Sequence, residues 1–550
     1  MVSSRDTDRT VVSLVQDLQA GRIDRRQFVQ RGAALGLGTT FLGTVLTACM
    51  GDSDSSGGGT PAGTSAKPVP VGVINTPGKF DPYPWNGFTS GIVNNHVYQS
   101  LMRPNFDTNK FEPALATEWD QPDATTYTYT LRDGVTFHNG APFTADDVVF
   151  SVNRAKELAW GAYALLFLDS VRKRDDKTIE IKLKQPDWRF QWMFSHWPPG
   201  YMVSKAYFDK VGEAKFASSP VGTNAFKFVS ASTQEIVLEP HPDYWEEGLP
   251  KLDRLTLTVL DDNTIVTGFK TGSVLISPDV GFDKLDLVKG FGDTEVKARV
   301  GPHIVLSALN TTKKPFDDIK VRQAMAEALD NEAALSAYPS EYIVPSKGAV
   351  VYKTFDSSAY DEIDGLWTGD LDKAKQMLDA SSAGGGFSLD WMVTATRAQE
   401  VSAVVGAQER LGKIGIEVNV KRLPDADMAT ALYKRPRPFD VITYNWLHNQ
   451  PHILDPLTAL YASANDASTN WAGYKNAKFD KLHNGVIGET DANKRDAALR
   501  EIQKMIAEDV PYLVHGWDAQ LRVENTDLQT PTQTTLAQWD DWFRASEFKS

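Results

Sequence analysis

The sequence predicts an α/β fold. Three observations carry that prediction. Short β-prone runs alternate with segments of helical period, as they do in layered packings of strands and helices. The 550 residues are 41% hydrophobic and 10% aromatic, enough for a large core and several domain-sized units. Beyond the N-terminal segment no apolar run is long enough to span a bilayer, which argues against a channel or permease.

The elements follow in order along the chain. Residues 71–74 are β-prone, and Phe80-Asp81-Pro82-Tyr83-Pro84-Trp85 is a loop. Residues 90–101 have helical character. Residues 126–131 and 135–138 read as strands, with turn signals at Arg132-Asp133-Gly134 and Asn139-Gly140. Thr144 is a helix N-cap, because Asp146 and Asp147 favour the dipole of the first turn and Val148, Val149 and Val152 supply a buried stripe. Residues 178–183 alternate, with Ile179, Ile181 and Leu183 on one face. Strands are expected at 235–239 and 255–260, and a helix over 263–271 stops at Gly272. Three more helices follow, around Val321–Leu329, Leu371–Leu378 and 400–413. A strand over Ile416–Val420 comes after Gly415, and another over Phe439–Tyr444. Leu499, Ile502, Ile506 and Val510 mark a last helix, ended by Pro511.

The N-terminus reads as an address. Asp24-Arg25-Arg26-Gln27-Phe28 precedes an apolar, Gly/Ala-rich stretch over 32–48, the order of an export signal. Arg25 and Arg26 resemble the core of a twin-arginine signal, although Asp24 stands where Ser or Thr is usual. Leu46-Thr47-Ala48-Cys49 resembles a lipobox, so Cys49 is the expected site of lipidation and membrane attachment. Residues 51–69 have the composition of a flexible linker. Net charge is −14, and the first 48 residues are themselves cationic, so the remainder is more acidic still. Such a surface argues against a nucleic-acid partner. Cys49 is the single cysteine, which excludes an internal disulfide and a multi-cysteine metal site.

One long block carries a family pattern. It contains Pro113-Ala114-Leu115-Ala116-Thr117-Glu118-Trp119, then Tyr129-Thr130-Leu131-Arg132-Asp133-Gly134-Val135-Thr136-Phe137-His138-Asn139-Gly140, then Pro142-Phe143-Thr144-Ala145-Asp146-Asp147-Val148-Val149-Phe150-Ser151. Val221-Gly222-Thr223-Asn224, Asp243-Tyr244-Trp245, Leu309-Asn310-Thr311-Thr312, Pro315-Phe316-Asp317-Asp318 and Glu508-Asp509-Val510-Pro511-Tyr512 accompany it. Together they resemble the peptide-type extracellular solute-binding proteins of ABC importers, family 5. The resemblance covers roughly residues 70–550.

It implies a two-lobed fold of the periplasmic-binding-protein type, with hinged lobes around a ligand cleft. The expected division is an export signal (1–48), lipidated Cys and linker (49–69), a first lobe (70–305) with a subdomain at about 100–220, a second lobe (306–510), and a return to the first lobe (511–550). The implied function is capture of a small solute, peptide-like or otherwise polar, for delivery to a permease and its ATPase. No catalysis and no cofactor are implied, and a monomer is expected.

In peptide-binding relatives a Gly-Trp-x-x-Asp stretch places its Asp on the ligand's ammonium, since a desolvated ammonium needs a carboxylate nearby. Here the matching stretch is Tyr444-Asn445-Trp446-Leu447-His448-Asn449. Trp446 aligns, but Asn449 is neutral. Either Asp455, further along, replaces the missing acid, or the ligand has no ammonium at that position. The latter is the favoured expectation. Trp446, His448, Asn449 and Asn445 are therefore expected on the second-lobe face of the cleft, and Tyr98, Trp85 and Trp517 on the opposite side or near the crossing. For each aromatic, ordinary core packing is the competing explanation.

Two rivals remain. His448 and His452, four apart, would suit a metal chelate, but Pro451 breaks the helix that would align them. Ser170-Val171-Arg172-Lys173 and Lys270-Thr271-Gly272 satisfy two of the three motifs of a serine acyl enzyme. No Ser-Asp-Asn lies between them.

Overall fold

The computed structural model describes residues 68–549 apart from 85–86, 106–107, 109, 159–164, 196–197, 354–359, 448–452 and 532–541, together with Gln27 and Gln30. Apart from Gln27 and Gln30, the predicted export signal lies outside the described residues, as do Cys49 and most of the linker.

One mixed sheet runs through the molecule. From one edge its strands are Ile416–Leu423, Phe387–Thr394, Val441–Leu447, Thr294–Leu309, Tyr512–Asn525, Ile276–Ser277, Pro68–Val73, Arg254–Val259, Glu235–Pro240 and Phe226–Ala231, and the short strand Ile343–Pro345 also pairs with Tyr512–Asn525. Thr294–Leu309 and Tyr512–Asn525 are the crossing strands. They pair antiparallel along most of their length, with register shifts between Val300 and His303 and between Val305 and Leu306. Such shifts bend and twist a strand, which lets one sheet serve two lobes. The expected lobe boundary near residue 305 falls inside the first of these strands.

The first lobe's core gathers Val69, Val71, Leu255 and Leu257 from its sheet with Tyr83, Tyr98 and Phe226. A separate four-stranded sheet, Ala116–Asp123, Thr126–Leu131, Thr178–Leu183 and Leu168–Lys173, joins the same core through Tyr127, Tyr129, Ile179 and Ile181. The second lobe has cores on both faces of its sheet. One holds Ile304, Leu306, Trp446, Trp471 and Trp517, and the other holds Trp391, Val404, Ala407 and Ile416.

Local chemistry explains the element ends. Thr144 closes a capping box with Asp147: the Thr144 N–H and hydroxyl donate to Asp147 Oδ2 at 2.9 and 2.8 Å. Val148 and Val152 are buried beneath that helix, whereas Val149 is only half-buried. The helix Asp262–Thr271 ends on Gly272 at φ 73°, a left-handed cap that glycine adopts without strain. Helix Ala492–Asp509 stops at Val510, before Pro511. The expected strand over 135–138 does not form. That run makes a single bridge, Thr136 to Pro142, because the turns at Gly134 and Gly140 leave too little length for a ladder. Among the described residues no helix is long and apolar enough to cross a membrane.

Candidate functional site

Strand alternation decides which residues of the crossing region share a face. His303 stands opposite both Leu447 and Asp518, and Val305 opposite both Asn445 and Gly516. These residues line one face. Their neighbours Ile304, Trp446 and Trp517 point to the other, into the second-lobe core. On the first face Val305 packs with Tyr338, Ile343 and Ala403, and Phe282 of the first lobe leans on that cluster. The Phe282 and Tyr338 rings are 5.2 Å apart, edge to face.

Polar groups gather around this contact. The strand Phe387–Thr394 leads into the helix Ala398–Lys413, with Arg397 at the N-cap and Glu400 in the first turn. An acid there is favoured by the helix dipole. Arg397 Nη1 donates to Glu400 Oε1 at 3.0 Å. The Glu400 side chain is 1% exposed and that of Arg397 39%. The guanidinium carbon lies 5.6 Å from the centre of the Tyr444 ring. His303 Nδ1 is 3.1 Å from Asp518 Oδ1, a buried carboxylate. Asp425 accepts from the hydroxyls of Thr394 and Thr396.

The first lobe contributes Asp279, whose Oδ2 accepts the Ile74 N–H at 3.1 Å. Burial pushes the Asp279 carboxyl up to about 6, the backbone N–H opposes this, Asp262 adds to it, and Arg397 opposes it. Burial also holds the Glu400 carboxyl above its ordinary range, against the pull of Arg397 and with the help of Asp518 and Asp425. Tyr338 is raised by burial and by Asp518 and Glu400.

Of the residues expected from the sequence, Asn445 lies on this face, and its Oδ1 has no hydrogen-bond partner among the described residues. Trp446 and Trp517 do not lie there. Trp446 is 7% exposed, sits 5.7 Å from the Trp471 ring and donates its indole N–H to Asp455 Oδ2 at 3.2 Å. Trp517 is fully buried against Tyr352, 5.5 Å between ring centres. Their one-residue offset from Asn445 and Asp518 turns them away. Asp455 is buried beside Trp446. Tyr98 is a first-lobe core residue, stacked on Tyr201 with its hydroxyl donating to Phe80 O at 3.2 Å. Trp85, His448, Asn449 and His452 lie outside the described residues. The residues missed by sequence reasoning are Asp279, His303, Arg397, Glu400 and Asp518.

A cavity of about 400 Å³ lies elsewhere, within the second lobe, lined by residues of 326–368 and 506–514 including Asn331, Lys347, Trp367 and Tyr512. The acyl-enzyme constellation is not assembled: Ser170 belongs to a strand of the four-stranded sheet, and Lys270 is exposed near the end of a helix.

Residues 110–468 match the model of the bacterial extracellular solute-binding proteins, family 5. The chain belongs to that family. It is 28% identical over 463 residues to the glutathione-binding protein GsiB of Pectobacterium atrosepticum, covering 82% of this chain and 88% of that one. It is 30% identical over 466 residues to heme-binding protein A of Haemophilus influenzae, covering 78% and 82%. Among solved structures it superposes on Helicobacter pylori DppA in complex with the peptide STSA, with TM-score 0.76 and 23% identity over 87% of this chain and 98% of that one. Bacillus subtilis AppA in complex with a nonapeptide gives TM-score 0.76 and 24% identity over 87% and 99%. The fold is that of a two-lobed periplasmic binding protein. The chain is a solute-binding receptor of the ABC-importer type, a transport component and not an enzyme.

Proposed function

We propose that this receptor captures a small polar, peptide-like solute at the lobe boundary and hands it to a membrane permease driven by an ATPase. The observation that carries the reading is the group at the crossing strands, where Arg397 bonds Glu400, His303 lies against Asp518, and Phe282 of the first lobe packs edge to face on Tyr338 of the second. A solute that touches both lobes there favours the closed arrangement over the open one, as capture requires. The Arg397 side chain is partly exposed, and its guanidinium fits an anionic group of the solute, since its fork of N–H donors matches a carboxylate. Relatives are named for glutathione and for heme. The charged lining supports a solute of the first kind, because a large macrocycle needs an extended apolar slot.

The proposal includes the division into lobes at 70–305, 306–510 and 511–550, with a subdomain at about 100–220. It also includes export through the twin-arginine route by Arg25 and Arg26, and attachment to the outer face of the cytoplasmic membrane through a lipid on Cys49. The linker would then hold a monomeric receptor near its permease. Native mass spectrometry of the protein, purified without denaturation from rich medium, tests the site. An added mass that denaturation removes is expected, and Arg397→Ala should lack it. Retention of the same mass by Arg397→Ala overturns the placement of the site.

A further inference from the structure

We propose that the cavity of the second lobe is an accessory binding site for a small amphipathic cation, an ammonium group carried on an apolar body. This site stands apart from the lobe boundary: among the described residues, none of His303, Arg397, Glu400 and Asp518 lines it.

The cavity holds about 400 Å³. Protein interiors are packed as densely as organic crystals, and voids larger than a water molecule are few. A water occupies about 30 Å³ of liquid, and an apolar cavity of about 150 Å³ already holds a benzene ring. The space is that of a small ligand, within the usual range for binding pockets. It lies where the two cores of the lobe fail to meet. Val350, Ile506 and Ala507 belong to one core, and Leu329, Val510 and Leu513 to the other.

Hydrogen bonds fix the walls. Asn331 Nδ2 donates to Ser346 O at 2.8 Å and to Val514 O at 3.2 Å, which ties the loop after Ile343–Pro345 to the crossing strand. The Gly365 and Trp367 N–H groups both donate to Lys347 O, at 2.9 and 3.1 Å. Gly348 stands at φ 129°, and a Cβ there would lie 2.6 Å from Ile363 O. The half-buried Trp367 is thereby held in the cavity wall. A pre-formed wall spares a ligand the cost of ordering it.

The rim decides the charge. Asp330, Glu332 and Lys347 share the lining with the apolar surface. Lys347 Nζ lies 2.9 Å from Glu332 Oε1, and both side chains are more than half exposed. Such a pair contributes little and exchanges readily for a ligand. Asp330 accepts the Ala333 N–H at 3.1 Å and has Arg410 Nη1 3.9 Å away. Two carboxylates thus stand against one ammonium on the lining. The Trp367 ring adds a π face, to which a cation is drawn. The chain carries a net charge of −14, which favours the approach of cations. A carboxylate ligand would meet two like charges instead. An aromatic body with a short alkyl arm fills the space and sets its ammonium at the rim.

Titration calorimetry of the whole protein at neutral pH tests the site with probes that share one body: 2-phenylethylammonium, 2-phenylethanol and phenylacetate. The ammonium should bind with a dissociation constant below about 1 mM. The alcohol should bind about fivefold more weakly, and phenylacetate more weakly still. Glu332→Gln should weaken the ammonium about fivefold and leave the alcohol unchanged. Ala507→Phe places a ring in the cavity and should lose the ammonium by more than about tenfold, with its melting temperature near that of wild type. Val350→Phe serves if that variant does not fold. Equal wild-type affinity for the ammonium and phenylacetate overturns the proposal, as does wild-type affinity in a folded Ala507→Phe or Val350→Phe. So does failure of wild type to bind the ammonium at about 10 mM. None of these outcomes bears on solute capture at the lobe boundary, which native mass spectrometry tests separately.

Discussion

Trp446, expected from the sequence in the cleft, packs in the second-lobe core, and that position reverses the effect expected of removing it. Its ring sits in the second-lobe core against Trp471, and its N–H is satisfied by Asp455. Trp446→Ala is therefore expected to destabilise the protein by about 3–5 kcal/mol, the usual range for removing a buried aromatic. Chemical denaturation measures this. A loss under ~1 kcal/mol, with solute affinity abolished, would return Trp446 to the cleft. The residue was singled out because it aligns with the Trp of the Gly-Trp-x-x-Asp stretch of peptide-binding relatives. What the sequence did not reveal is the strand phase, and a shift of one residue exchanges Trp446 for Asn445 and Trp517 for Asp518. Arg397 and Glu400 were hidden for a different reason. An Arg and a Glu at the start of an amphipathic helix look like ordinary solvated ends until the neighbouring strand and the opposite lobe are in place.

The buried imidazoles set a second residue-scale expectation. Burial pushes His515 down to about 4. Its Nδ1 lies 3.1 Å from Asn331 Oδ1 and its Nε2 2.7 Å from Ser307 Oγ, which suits a neutral ring donating from Nδ1. His483 is likewise held at about 4, by burial first and then by Arg189. The unfolded chain takes up these protons near pH 6.5, the folded protein only near 4, so the unfolded state binds more protons in between. Stability should be full above about pH 6.5 and fall as pH drops toward 4. Thermal unfolding from about pH 7.5 to 4.5 should show a declining melting temperature, with a shallower decline in His515→Gln. A flat profile in wild type would contradict the burial of these rings.

At the scale of elements the sequence was most legible where a local rule acts alone. The N-cap at Thr144, the helix end at Gly272 and the stop before Pro511 each need only near neighbours, and each formed as expected. The strand expected over 135–138 failed because alternation says nothing about whether a partner strand is available. The Val221–Asn224 turn shows a residue type fixed by a distant element. A Cβ on Gly222 would stand 1.9 Å from Val97 O, a backbone atom that cannot move aside cheaply. Asn224 Nδ2 donates to Asn95 O at 2.6 Å and Tyr98 O at 3.1 Å, tying the turn to the end of helix Phe88–Val97. Gly222→Ala should thus lower stability by about 2 kcal/mol or more. Urea unfolding would read it, and a neutral substitution would mean that the helix end and the turn are not in contact.

At the scale of the whole molecule, the four-stranded sheet of the first lobe and the second lobe meet away from the polar cluster. Trp188 follows the strand Thr178–Leu183 and donates its indole N–H to Val486 O at 3.1 Å, in the helix Ala477–Gly488. The Arg495 guanidinium carbon lies 4.9 Å from the centre of the Trp188 ring. Phe167 and Trp188 both pack against the second-lobe core. A contact that exists only when the lobes are together favours that state by its own free energy. One hydrogen bond and one cation–π contact amount to roughly 1–2 kcal/mol, a five- to thirtyfold shift in the closing equilibrium. Trp188→Ala should therefore enlarge the ligand-free radius of gyration in small-angle scattering. It should also weaken solute binding by the same five- to thirtyfold, mainly through faster release, because Trp188 lies in the closing contact and not in the polar cluster. Saturating solute should restore the compact radius, since ligand and latch act on one equilibrium. An unchanged radius together with unchanged affinity would mean that this contact persists in both states, and closure would then rest on the polar cluster alone.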